Sequence, residues 1–128
     1  MVDAVVRVTG LDHVVLVVAD VERSLRWYRD VLGLPGVRVE EWRRGDAPFA
    51  SVRVDDSTII DLVAGDRTGT NVAHLCLVIA PTDLDAVAAS GDFDVAGGPA
   101  QLFGAQGMGR GFYVRDPDGN VVELRCYE

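Results

Sequence analysis

The stretch GLDHVVLVVAD, residues 10–20, sets a histidine at the start of an almost unbroken β-branched run and closes it with an aspartate. Such a run predicts a strand covered on both faces. Asp20 is placed to cap the helix that follows. Val21, Leu25, Tyr28 and Leu32 recur at helical spacing through VERSLRWYRDVLG, and Gly33 supplies a left-handed stop. Three strand-like pieces come next: VRVEEW at 37–42, FASVRVDD at 49–56 and STIIDLV at 57–63. The predicted order is β-α-β-β-β.

Beyond a polar, glycine-containing linker, AGDRTGTN at 64–71, the same order is predicted again. AHLCLVI at 73–79 reads as a strand, and Pro81 and Thr82 open a helical pattern that Gly91 closes. FDVAGGPAQLFGAQGMG at 93–109 is glycine-rich and poorly periodic, which predicts a short strand and a mobile loop. The chain finishes on GFYVRDPDGNVVELRCY, two strands joined by a tight turn around Pro117 and Gly119. The expectation is one domain made of two modules, about 8–64 and 72–128.

The repeat is tested by position. His13 and His74 lie 61 residues apart, each at the start of the first strand of its module. Asp61 and Glu123 lie 62 residues apart, each in the last strand. The only two histidines thus fall into equivalent places, each with an equivalent carboxylate. Neutral imidazole and carboxylate suit a divalent Zn, Ni, Fe or Mn ion. With no HExxH or CxxC motif, such a site has to be assembled from separate strands. Strand parity supports this, because alternate residues face opposite ways. Val121, Glu123, Arg125 and Tyr127 share one face of the last strand, and Val122, Leu124 and Cys126 share the other. By the same rule His74, Cys76 and Val78 lie together, as do His13, Val15 and Val17. The expected architecture is α+β: a curved, mostly antiparallel sheet with helices outside and two His and two carboxylates inside.

Composition narrows the function. The net charge of -8 argues against nucleic acid and anionic membranes as partners. All twelve basic residues are arginine, so a Schiff-base or P-loop lysine is excluded. No segment approaches the length of a membrane span, and MVDAVVRVTG carries Asp3 and no long apolar run. Cys76 and Cys126 sit in apolar runs and read as buried free thiols. A cytoplasmic protein is expected.

Taken together, GLDHVVLVV with VERSLRWYRDVLGL, AHLCLVI, and FYVRDPDGNVVEL resemble the vicinal oxygen chelate superfamily, which includes glyoxalase I, bleomycin- and fosfomycin-resistance proteins and extradiol dioxygenases. The resemblance covers nearly the whole chain. It implies paired βαβββ modules, a cupped sheet, and a divalent metal held by His13, His74 and Glu123. Glyoxalase I commonly has Glu where this chain has Asp61. The shorter side chain implies a base or a water-holding group there, with the opposite assignment of Asp61 and Glu123 open. The implied activity is a metal-dependent enzyme, of lyase, isomerase or dioxygenase type, that chelates a small oxygenated substrate. The alternative is a drug- or metabolite-binding protein without turnover. Arg53, Tyr113, Arg125 and Tyr127 share the predicted inner face and are expected to grip substrate. Phe103, Met108 and Arg110 are expected to form a lid. The resemblance also implies a homodimer.

Overall fold

A computed structural model describes residues 7, 9, 11–104 and 106–127. Most of MVDAVVRVTG falls outside them. The chain divides into two compact units, with the boundary between Asp66 and Arg67. Among the described residues no helix is long and apolar enough to cross a membrane.

In the first unit β1 is His13–Val18, α1 is Val21–Arg26, β2 is Gly36–Val37, α2 is Val39–Arg43, β3 is Ala50–Arg53 and β4 is Ile59–Ala64. Asp20 caps α1, its side chain accepting from the Arg23 amide at 3.1 Å. The helix runs on into a π-helical turn, Trp27–Val31, whose Tyr28 is fully buried. Gly33 then turns the chain at a φ of +77°, a conformation that costs glycine little. The four strands form one sheet in the order β1-β4-β3-β2, with β1 parallel to β4 and the other pairs antiparallel. Helix α1 packs on β3 and β4, and Leu16, Val18, Val52, Ile60 and Leu62 are buried in the core of this unit.

One predicted strand is corrected here. Within VRVEEW only Val37 is in a strand, as the second residue of β2, and the chain then enters α2. Arg38 sits at a φ of 57° and breaks the extended run. Arg43 pairs with Glu40 one turn back and with Glu22 on α1, which favours a helix for the residues between. Gly36 permits the tight bend, since a Cβ there would lie 2.7 Å from Val39 Cγ2.

The second unit contains β5, Leu75–Val78; α3, Leu84–Ala89; β6, Asp94–Gly104; β7, Gly107–Arg115; and β8, Val121–Cys126. Its sheet order is β5-β8-β7-β6, with β5 parallel to β8. Helix α3 is capped by Asp83 and packs on β6 and β7. The segment 93–109, expected to hold a short strand and a mobile loop, instead forms the eleven-residue β6 and the start of β7, paired with each other. Its glycines hide the period, and its register shifts twice between Val95 and Ala100. The β7–β8 turn is locked by the buried Asp116, whose Oδ1 accepts from the amides of Asp118 and Asn120, while its Oδ2 accepts from Asn120 Nδ2. This is why DPDGN works as a hairpin turn: the Asp116 carboxylate takes the Asp118 and Asn120 amides, while the Asp116 carbonyl takes the Gly119 amide.

Both units therefore realise a mixed four-stranded sheet with the helix-following topology expected from the repeat, the first unit adding α2.

Candidate functional site

The repeat extends to register. In the first unit Val15 pairs with Asp61, so His13 stands two residues before the carboxylate's partner. In the second, Cys76 pairs with Glu123, and His74 again stands two residues before the partner. Side chains two residues apart share a face, so each histidine lies diagonally beside its own carboxylate. The distances follow: His13 Nε2 is 3.9 Å from Asp61 Oδ2, and His74 Nε2 is 3.5 Å from Glu123 Oε1.

Both carboxylates ride on the central strand of their sheet and are buried, at 2% and 4% exposure, whereas the imidazoles remain accessible. A buried carboxylate needs partners. Each has one on its far oxygen. Ser51, opposite Asp61 in the β3–β4 pairing, donates its hydroxyl to Asp61 Oδ1 at 2.5 Å, and Arg38 Nη2 stands 3.8 Å from the same oxygen. Arg125 Nε donates to Glu123 Oε2 at 2.8 Å. In each unit, then, one carboxylate oxygen is anchored to the protein and the other is turned toward a histidine Nε2.

The His13 ring is oriented from its other side. Its Nδ1 lies 2.7 Å from Asp12 Oδ2. An ionised carboxylate only accepts, so Nδ1 carries the proton and Nε2 keeps its lone pair facing Asp61. Asp12 is itself held in line by the Ile59 amide, which donates to its carbonyl at 3.1 Å. The Asp12 hydrogen bond, with the field of Asp61, raises the His13 pKa above 6.5. Any stability this protonation confers is fully present below 6.5 and is lost as pH climbs through the raised value. In an NMR titration of metal-free protein, His13 is expected to titrate above 6.5, and Asp12→Ala to bring its midpoint down. An unmoved midpoint counts against this hydrogen bond as the cause.

Around Glu123 the second unit adds Tyr113, its pairing partner on β7. The Tyr113 ring meets His74 edge to face, with centroids 5.4 Å apart. Burial and the Glu123 charge push the phenol above its usual value, so it stays protonated and able to donate. Cys76 keeps an exposed edge, contrary to the buried thiol expected, while Cys126 is buried. Desolvation of the sulfur and the adjacent Glu123 push the Cys76 thiol up to about 11, so it is not a thiolate at neutral pH.

The residues expected to grip substrate occupy different situations. Tyr113 stands at the His74–Glu123 pair. Arg53 Nη1 donates to the carbonyls of Asp55 and Asp56 in the β3–β4 turn. Arg125 is buried and bonded through all three nitrogens. The Tyr127 hydroxyl accepts from the Gln106 amide and Arg125, and these two donors pull its pKa below the usual value. Met108 and Arg110 have the parity of Phe112 and face away from Glu123, with Arg110 paired to Asp85 of α3. A hollow of about 530 Å³ lies on that side, lined by Leu84, Met108, Arg110 and Cys126 among others, and neither His74 nor Glu123 borders it.

The donor chemistry fits a borderline divalent ion. Two donors, each about 2.1 Å from one ion, lie roughly 3.0–3.4 Å apart. The His74–Glu123 gap of 3.5 Å is close to that range, and the His13–Asp61 gap of 3.9 Å asks for a small closure. Among the described residues no three His, Cys, Asp or Glu side chains gather into a metal-binding group. The arrangement is of two pairs, one in each unit. Sequence analysis missed Asp12, Ser51 and Arg38. Asp12 was legible as a carboxylate adjacent to His13, whereas Ser51 and Arg38 are reached only through the β3–β4 register and the bend at residue 38.

Comparison with known proteins agrees with the fold. Residues 10–124 match the family model described as Glyoxalase/Bleomycin resistance protein/Dioxygenase superfamily. The chain is 28% identical over 120 residues to virulence protein STM3117 of Salmonella typhimurium, covering 91% of this chain and 83% of that protein. The crystal structure of that protein superposes with a TM-score of 0.76 at 26% identity, covering 96% of this chain and 100% of the other. A glyoxalase/dioxygenase from Nostoc punctiforme superposes with a TM-score of 0.74 at 27% identity, covering 100% and 99% of the two chains. An integron cassette protein from the mobile metagenome of V. cholerae gives 0.75 at 28% identity, covering 98% and 100%.

Proposed function

Because the chain belongs to the glyoxalase/bleomycin resistance protein/dioxygenase superfamily, we propose that it is a metal-dependent enzyme acting on a small molecule with two neighbouring oxygens. The ligands are His13, His74 and Glu123, and Asp61 is the base. One observation carries this. In both units a buried carboxylate has one oxygen anchored and the other presented beside an accessible histidine Nε2. A single pair offers two donors, one fewer than the three protein ligands typical of a catalytic zinc site.

A divalent ion bound there supplies Lewis acidity to the substrate's oxygens. The protein's own groups do the rest. Ser51 holds Asp61 Oδ1, leaving Oδ2, beside His13 Nε2, to take a proton. Tyr113, kept protonated, offers an O–H donor for a substrate oxygen beside Glu123. Asp12 accepts from His13 Nδ1, so that in the neutral ring the lone pair lies on Nε2, the nitrogen available for ligation. Free Cys76 and Cys126 fit a reducing cytoplasm. A homodimer is expected, and sedimentation tests it.

The test is to strip the full chain with chelator and titrate it with Zn, Ni, Mn and, without oxygen, Fe(II). A panel of hydroxyketones, thiol adducts of ketoaldehydes and catechols is then followed by absorbance and oxygen uptake. About one ion per chain and metal-dependent turnover of at least one substrate class are expected. Failure to bind any of the ions overturns the proposal. Metal binding with tight substrate retention and no turnover replaces it with the binding-protein function.

A further inference from the structure

Arg125 is the largest fully buried side chain among the described residues, a costly place for a charge. Its position is built. Nε donates to Glu123 Oε2, Nη1 to the Tyr127 hydroxyl and Nη2 to the Leu102 carbonyl, each at 2.8 Å. The guanidinium also lies 5.1 Å from the Tyr127 ring centroid. Space for it comes from glycines on the facing strands. A Cβ at Gly104 would overlap Arg125 Nη1 and Cζ, and one at Gly111 would stand 3.2 Å from Arg125 Cβ and 3.3 Å from Glu123 Oε2. β6 and β7 thus give up side chains where Arg125 lies.

The bonding pattern is selective. An arginine beside a carboxylate commonly closes a fork, two parallel bonds to both oxygens. Here Nη2, which shares an edge with Nε, is taken by the Leu102 carbonyl, and only Glu123 Oε2 is consumed. Oε1 is left facing His74 Nε2. A guanidinium engaged in this way, on a side chain 2% exposed, has no free face for a substrate anion. In the first unit Ser51 does the equivalent task for Asp61.

We propose that Arg125 is a positioning residue: it locks Glu123 by one oxygen so that the other stands as a single donor beside His74, and it does not bind substrate. This rests on the metal-binding function proposed above. Without the lock, the carboxylate is free to turn about its last bond and to collapse onto the imidazole. The outer-sphere partners of metal ligands typically contribute 10–100-fold in affinity by fixing such orientations.

The test uses Co(II) as the probe, titrated into the full metal-free chain and read by both affinity and the visible absorption of the bound ion. Arg125→Gln is expected to weaken Co(II) binding by about 10–100-fold and to alter the band shape. Arg125→Lys, which keeps the charge, is expected to recover part of the loss. Gly104→Ala leaves every charge in place and pushes on the guanidinium, so it is expected to weaken binding too. It decides the matter alone if Arg125→Gln does not fold. Arg125→Gln and Gly104→Ala both within twofold of wild type, while His74→Ala loses Co(II), overturn the positioning role and leave the metal site standing. A wild-type chain that does not bind Co(II), or a His74→Ala chain that binds it equally well, sinks the metal site and the positioning role with it. An Arg125→Gln enzyme with unchanged Co(II) binding and a raised KM returns Arg125 to the substrate.

Discussion

Substituting His74 by alanine is expected to abolish metal retention while leaving the metal-free fold intact. The imidazole is accessible, with 42% of its side chain exposed, and its contacts are the Glu123 oxygen at 3.5 Å and the edge of Tyr113. Substitutions at such positions typically stay within about 0.5 kcal/mol of wild-type stability. As a ligand, however, the ring supplies one of very few nitrogen donors, and its loss is expected to weaken binding by more than about 100-fold, beyond the cost of losing an outer-sphere partner. His13→Ala is expected to do the same. After dialysis, metal analysis is expected to find about one ion per wild-type chain and almost none in either variant. Variants that keep wild-type metal content would show that the histidines are not ligands. Variants that lose the metal but also melt much earlier in the metal-free state would show that the histidines serve the fold.

The second large effect concerns the second unit's core. Phe112 on β7 is fully buried, pairs with Leu124 across the β7–β8 ladder and meets Phe93 edge to face at 5.9 Å. Phe112→Ala removes the ring's transfer energy and leaves a cavity, costing about 3–5 kcal/mol. For a chain of this size, at roughly 3–5 °C per kcal/mol, the melting temperature is expected to fall by about 10–20 °C. Natural domains have only about 5–15 kcal/mol in hand, so this single change consumes a large part of the margin. Urea denaturation measures it directly. A loss below about 1 kcal/mol would mean that Phe112 does not fill the core of the second unit.

These two expectations draw on different kinds of information. The faces of β8 were legible from alternation: Val122, Leu124 and Cys126 are buried on one side, with Glu123, Arg125 and Tyr127 on the other. The His and carboxylate pairs were legible from the repeat. VRVEEW misled because two valines around an arginine look the same in a strand and in a helix start. The left-handed Arg38 and the Arg43 pairs with Glu22 and Glu40 break the tie. The strand at 94–104 was hidden because Gly97, Gly98 and Gly104 carry no side chain to mark a period, and it is defined by its hydrogen bonds to β7. Arg125 was assigned to the correct face, but its burial depended on neighbours absent from its own strand.

By itself the sequence determined the alternation of each strand, the helix cap at Asp20, the internal repeat and hence which four side chains are equivalent, because all of these are set by residues within a few positions or by spacing along the chain. Tertiary structure alone decided which oxygen of each carboxylate is free, since that depends on Ser51 arriving from β3 and on a bed of glycines from β6 and β7 admitting Arg125. Those partners are set by strand register, and register is a property of the packed sheet, fixed when the apolar faces are buried together rather than by any one strand.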